Sequence, residues 1–164
     1  MILEWILKSL MSLEHQMQLT RLLHSSTRLL DDQNYDGFLQ LFTSEGEYSI
    51  TCLTPELAEK MIWMKATRSE IDERLKAMNE HEWQIAHVEQ TRILSVDTID
   101  IGKNTANTSS SFSLYQTDQQ GRSELYVLGR YEDEWQYVSK RWYLAKREVA
   151  LRTRLLKMLS PLPI

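Results

Sequence analysis

The residue types able to do chemistry in this 164-residue chain are few and scattered. Its imidazoles are His15, His24, His81 and His87, and no two have the i,i+4 spacing that sets two metal ligands on one helix face. His81 and His87 are roughly 20 Å apart along an extended strand, so only tertiary folding could join them around one ion. The single cysteine, Cys52, excludes an internal disulfide and any site built on paired thiolates, and it fits a reducing cytoplasm. With no His or basic neighbour to lower its thiol pKa, it reads as a small buried hydrophobe. The glycines are isolated, so no phosphate-cradling loop exists, and no Gly-x-Ser-x-Gly elbow is present. Asp31 and Asp32 form the most conspicuous carboxylate pair; at a helix end they read as turn formers before they read as a general base.

The densest functional-looking stretch is LGRYEDEWQYVSKRWYLAKREVAL, Leu128 to Leu151, with five aromatic rings, five basic residues and four acidic ones. Interleaved rings and cations are the material of a single-strand nucleic-acid platform. Charge argues against that use. The formal net charge is −4, with 15 acidic against 6 basic residues from Asp31 to Asp100 and 9 basic against 5 acidic from Gly121 to Ile164. Non-specific affinity for nucleic acid comes mainly from phosphate neutralisation, which this balance does not supply. The same stretch also reads as a long half-buried hairpin turning at Ser139-Lys140. In its last strand neither face is purely apolar, a pattern that suggests a subunit interface at Arg130, Tyr131, Trp142, Tyr143 and Arg147.

These groups have to be positioned by a single domain. One unit of this length, 42% hydrophobic and 26% charged, buries enough surface for its own core. No repeat or Pro/Gly-rich linker divides it; residues 1–20 form a helical extension and 21–164 the domain proper. Glu4, Lys8 and Glu14 interrupt the apolar runs of the first twenty residues, so neither a membrane span nor a cleavable leader is expected, and the chain reads as cytoplasmic. Leu10, Leu13, Met17, Leu23, Thr27 and Leu30 predict one helical stripe ending at Asp31-Asp32. Asn34 caps a short helix carrying Tyr35, Phe38, Leu39 and Phe42. SEGEYSITC predicts a brief strand after a turn at Gly46. Thr54-Pro55 offers one helix start, and Ser69 with Asp72 another whose apolar face is Ile71, Leu75 and Met78. MIWMKAT between them reads as helix or loop. From Gln84 onwards four β-type segments follow, so the fold class is α+β, N-terminal helices packed on one face of a curved antiparallel sheet.

LLDDQNYDGFLQLFTSEGEYSI, IDERLKAM, HVEQTRILSV, SFSLYQTD, LGRYEDEW and WYLAKREVALRTRLL, in this order, carry a resemblance to a known family. The chain resembles the cone-shaped nuclear transport factor 2-like proteins, and within them the small (β) subunit of bacterial aromatic-ring-hydroxylating dioxygenases. That resemblance implies a chain without a cofactor of its own. The Rieske [2Fe-2S] cluster and the mononuclear Fe(II) would sit in a partner α subunit, three α with three β. It departs from the family pattern at Arg152, where an aspartate is common, and at Ser111, where an asparagine is common. The alternative is a stand-alone isomerase, dehydratase or cyclase of the same fold, with Asp31 and His87 as a proton-transfer pair and Tyr48 polarising a carbonyl. An open dry pocket would mark the enzyme; a cone filled by side chains or by the SPLPI tail would mark the subunit.

Overall fold

The computed structural model describes residues 2–54, 59–80, 88–154 and 163–164. Helix α1 runs over Ile2–Asp31. It closes with Gln33 in the left-handed region (φ 55) and the Asn34 N–H bonded to the Leu29 carbonyl at 2.8 Å. Its buried stripe is Leu19, Leu23, Ser26, Thr27 and Leu30. The stripe expected from sequence extended to Leu10, Leu13 and Met17, but these side chains are about half exposed or more. Among the described side chains of α1, contact with the body begins at His15, and the buried positions begin at Leu19. In α2 (Tyr35–Leu39), Asn34 Oδ1 accepts from the Gly37 N–H at 2.9 Å, the expected cap. Phe42 lies beyond that helix and opens β1.

Among the described residues six strands follow: β1 (Phe42–Thr54), β2 (Glu59–Thr67), β3 (Glu89–Ile101), β4 (Thr105–Thr117), β5 (Ser123–Val138) and β6 (Arg141–Leu151), with α3 (Arg68–Glu80) between β2 and β3. They form one sheet in the order β2-β1-β6-β5-β4-β3. In a meander all five neighbouring pairs would be antiparallel; here β1 and β6 pair in parallel, so the sheet is mixed rather than antiparallel throughout. The reason is topological. β1 enters the sheet beside the last strand instead of beside β3, which no local pattern announces.

Three local expectations change. β1 is longer than SEGEYSITC, and Gly46 lies inside it, at an irregularity of the β1–β6 register rather than at a turn. MIWMKAT is strand, neither helix nor loop, held by β1 through pairs such as Ile50 with Met64. Helix α3 starts two residues earlier than expected: the Thr67 N–H donates to Glu70 Oε2 (2.7 Å) and the Glu70 N–H to Thr67 Oγ1 (3.3 Å), a reciprocal box that outcompetes Ser69. Ile71 and Leu75 are buried as expected, while the Met78 side chain lies outside the description. Thr54 ends β1, and the helix start expected at Pro55 lies outside the described residues.

The core lies between the inner face of the sheet and the helices, with Phe38 from α2, Tyr48 and Ile50 from β1, Tyr131 and Trp135 from β5, and Leu144 and Val149 from β6 among its fully or nearly buried members. The β5–β6 hairpin turns as expected at Ser139 (φ 50) and Lys140 (φ 64), both left-handed, which matches the strand twist.

Candidate functional site

The mixed faces of β6 have a specific cause. Glu134 pairs with Lys146 but Trp135 pairs with Leu144, so Ala145 is an extra residue in β6. One inserted residue changes the phase of a period-two strand. Trp142 and Leu144 before it, and Arg147, Val149 and Leu151 after it, all end up buried. The apparent double-sidedness is therefore a bulge, and it does not by itself mark an interface.

Of the five interface candidates, three serve this chain's own core. Arg147 and Tyr131 are fully buried, and Trp142 nearly so. The Trp142 indole N–H donates to His15 Nδ1 at 3.1 Å, and the His15 ring stands edge-on to both Tyr137 (4.8 Å) and Trp142 (5.5 Å), pinning α1 to the hairpin. Arg130 and Tyr143 do reach the surface. Arg130 pairs with Asp97 at 2.9 Å, and Arg141 lies 5.5 Å from the Tyr143 ring centroid.

The centre of the cone is polar. Arg147 donates through Nε and Nη2 to the two oxygens of Asp133 (2.8 and 2.7 Å), and through Nη1 to Ser26 Oγ (3.0 Å). Its guanidinium lies 4.4 Å from the centroid of Tyr131, which stacks on Phe112 at 4.2 Å. Burial pushes the Asp133 carboxyl above the usual carboxylate range, with Arg147 pulling against it. Burial also opposes charge on Arg147, but Asp133 outweighs it and raises the guanidinium. Asp133 and Arg147 face each other across β5 and β6. Sequence reading missed this pair, although Asp133 continues the one-face series Leu125, Val127, Gly129, Tyr131, which was the available signal; of that series Leu125 is exposed and the rest buried.

A second polar group closes the mouth. Asp31 is not a free carboxylate: Arg92 Nη1 reaches its Oδ1 at 2.5 Å, and the Arg92 backbone N–H its Oδ2 at 3.0 Å. Arg92 is buried on the inner face of β3 and also donates toward the Pro163 carbonyl at 3.4 Å. The Tyr48 hydroxyl donates to the Ile164 main-chain oxygen (3.0 Å) and accepts from the Ile164 N–H (2.8 Å). Burial, and then Tyr131, push the Tyr48 phenol well above its ordinary value. Pro163 and Ile164 are themselves buried, so these two residues sit inside the cone against Tyr48 and Arg92. Of the catalytic alternative, Asp31 and Tyr48 are thus engaged by this chain, and His87 lies outside the described residues.

Beside Asp31 a cleft of about 880 Å³ opens between the end of α1 and the start of β3, with Asp32, Glu89, Gln90 and Asp118 in its wall. It is polar and open, unlike a dry catalytic pocket. Among the described residues no three His, Cys, Asp or Glu side chains gather where they could hold a metal ion. Cys52 is buried, and burial raises its thiol, in keeping with a packing role. Among the described residues no helix is long and apolar enough to cross a membrane.

A twisted mixed sheet wrapped around helices, with its polar centre inside, defines the nuclear transport factor 2-like class, and the chain belongs to the SnoaL-like domain family, which matches residues 11–148. It is 28% identical over 148 residues to the β subunit of 2-aminobenzenesulfonate 2,3-dioxygenase from an Alcaligenes species, covering 87% of this chain and 94% of that one. It is 26% identical over 152 residues to the hydroxylase β subunit of methanesulfonate monooxygenase from Methylosulfonomonas methylovora, covering 87% and 83%. In three dimensions it is similar to the β subunit of a proposed aromatic-ring-hydroxylating dioxygenase from Novosphingobium aromaticivorans, with a TM-score of 0.74, 15% identity, and coverage of 87% and 92%.

Proposed function

We propose that this chain is the non-catalytic β subunit of a bacterial, cytoplasmic ring-hydroxylating oxygenase, supporting an iron-containing α subunit in the breakdown of an aromatic compound. The observation that carries the proposal is that this chain itself engages the polar groups of the cone. Pro163–Ile164 occupy its mouth, and the groups a proton-transfer enzyme would use, Asp31 and Tyr48, are already bonded to Arg92 and Ile164. The names of both curated relatives, oxygenase β subunits aligned over most of this chain, point the same way. Since both are named for sulfonates, a sulfonated aromatic is the first substrate to assay with the complex.

The Rieske [2Fe-2S] cluster and the mononuclear Fe(II) belong, in this proposal, to the α subunit, and no step is routed through this chain. The assembly is three α with three β. Exposed apolar side chains on the outside, among them Leu53, Ile62, Ile93 and Leu128, are surface that such an assembly can cover. Affinity purification from the native cell tests the proposal: a larger, iron-containing chain is expected to co-purify, and hydroxylation is expected only from the pair. Stoichiometric iron bound by the isolated chain, or turnover without a partner, would overturn it. Asp31→Asn in the reconstituted complex is expected to keep turnover; complete loss with assembly intact would favour the enzyme reading.

A further inference from the structure

Helix α1 carries two apolar faces, and the body of the protein uses one of them. At about 100° per residue, Leu19, Leu23, Ser26, Thr27 and Leu30 define its buried side. Leu10, Leu13 and Met17 lie roughly 130° round the helix from that side, and all three are exposed. His15, the first described side chain of α1 to touch the β5–β6 hairpin, stands almost directly opposite them. The exposed stripe therefore faces away from this chain's own sheet.

Its spacing is that of a helix–helix seam. Leu10, Leu13, Met17 and Thr20 alternate steps of three and four, and Ile6 and Leu3 continue those steps back through the sequence. That is the a/d repeat of a coiled coil, narrower than the stripe with which a helix meets a globular core. Beyond Thr20 the next two positions are His24 and Thr27, so the seam ends where the buried side takes over. Spacing alone does not say what covers the stripe; its flanks do. In a parallel, in-register coil each g residue meets the e residue five places on in its neighbour. Here those pairs are Ser9 with Glu14 and Gln16 with Arg21, so no like charges meet when copies of this helix come together. The body, held on the far side through His15, leaves the seam clear. A seam that matches itself in apolar spacing, in flanking charge and in clearance fits a copy of itself.

We propose that Leu10, Leu13 and Met17 form a self-association seam, and that three copies of it meet as a parallel three-helix coil on the axis of the β trimer. The number three rests on the assembly proposed above, and the seam supplies the contact that holds its β copies together.

Light scattering of the isolated full chain is the test. The wild type is expected at the mass of three chains, and the double variant Leu10→Glu with Leu13→Glu at the mass of one. The near-ultraviolet spectrum of the buried Trp135 and Trp142 is expected to stay unchanged, because both substituted side chains are already exposed in the single chain. Met11→Glu is the control. Met11 is as exposed as Leu10 but lies about 130° off the seam, so this variant is expected to keep the mass of three chains. Should the double variant not fold, Met17→Glu, a single exposed change on the same seam, is read instead. A seam variant that keeps the mass of three chains, a wild type that runs as one chain, or Met11→Glu dissociating as fully as the double variant would overturn the proposal. Loss of α-subunit capture by the double variant at unchanged mass would also overturn it, and would give the stripe to the α subunit. Co-purification of an α subunit with the wild type is read separately. A trimer that the double variant dissociates but that captures no α subunit refutes the β-subunit reading and leaves the seam; capture of an α subunit by a chain whose mass ignores the double variant does the reverse.

Discussion

Arg147 and Asp133 show how much a single buried pair can govern. Both side chains are fully buried and joined by two charge-assisted bonds, so removing one partner strands the other's charge in the core. Arg147→Leu is expected to cost about 3–5 kcal/mol in chemical denaturation, and the double variant with Asp133→Leu to recover much of that loss. A double variant no more stable than the single would mean that packing against Tyr131 and Phe38, rather than the charge pair, dominates. Glu148 gives the pH dependence. Burial alone would raise its carboxyl, but bonds from Lys60 and Thr51 overcome it and hold it below the usual value. Its unfolded value is about 4.3. Between that value and the lower folded one, the unfolded chain binds more protons, so this contribution is complete above the unfolded value and is lost as pH falls through the folded one. Unfolding free energy followed from pH 7 to pH 3 should therefore drop less steeply for Glu148→Gln than for the wild type.

At the scale of elements, β5 and β6 decide the geometry. Gly129 lies opposite Phe112 in β4 and Leu151 in β6. A Cβ there would come within 2.9 Å of both the Ala150 carbonyl oxygen and Phe112 Cε1, and the backbone oxygen cannot give way cheaply. Gly129→Ala is expected to destabilise by about 1–3 kcal/mol, read as a lower denaturation midpoint with unchanged slope. The Ala145 bulge carries a sharper expectation. Deleting Ala145 would put Trp142, Leu144, Arg147, Val149 and Leu151 in strict alternation on one face, so they are expected to stay inward, and losing the bend that the bulge gives β6 is expected to lower stability by about 0.5–3 kcal/mol. A deletion variant with wild-type stability would show that the bulge is incidental. The alternation of β5 and the turn at Ser139-Lys140 were readable in advance, because both are set by neighbours in sequence. The bulge was not, since an extra residue shows only when the partner strand's register is known.

For the whole molecule, the assembly is the property to measure. In the proposed oxygenase the isolated chain is expected to run at the mass of three chains in light scattering, and the co-expressed pair at that of three α with three β. A monomer throughout the micromolar range would refute the self-association, and a complex of other stoichiometry would refute the count. The first half of α1 belongs to this scale as well. Leu10, Leu13 and Met17 are exposed, although their spacing reads as part of a core stripe. Apolar periodicity reports that a face wants cover, not which surface supplies it.

The sequence by itself determined the α+β class, the cap at Asn34, the helix end at Asp31-Asp32, the β5–β6 hairpin and the absence of paired thiolates. Each of these rests on residue types a few positions apart, where backbone preference and side-chain alternation act directly. Only the tertiary structure decided that β1 lies parallel to β6, that Arg147 faces inward, that Arg92 captures Asp31, and that Ile164 reaches Tyr48 from 116 residues away. Those contacts are chosen by what is left to bury, and by which buried donors still lack an acceptor, once the whole chain has closed on itself.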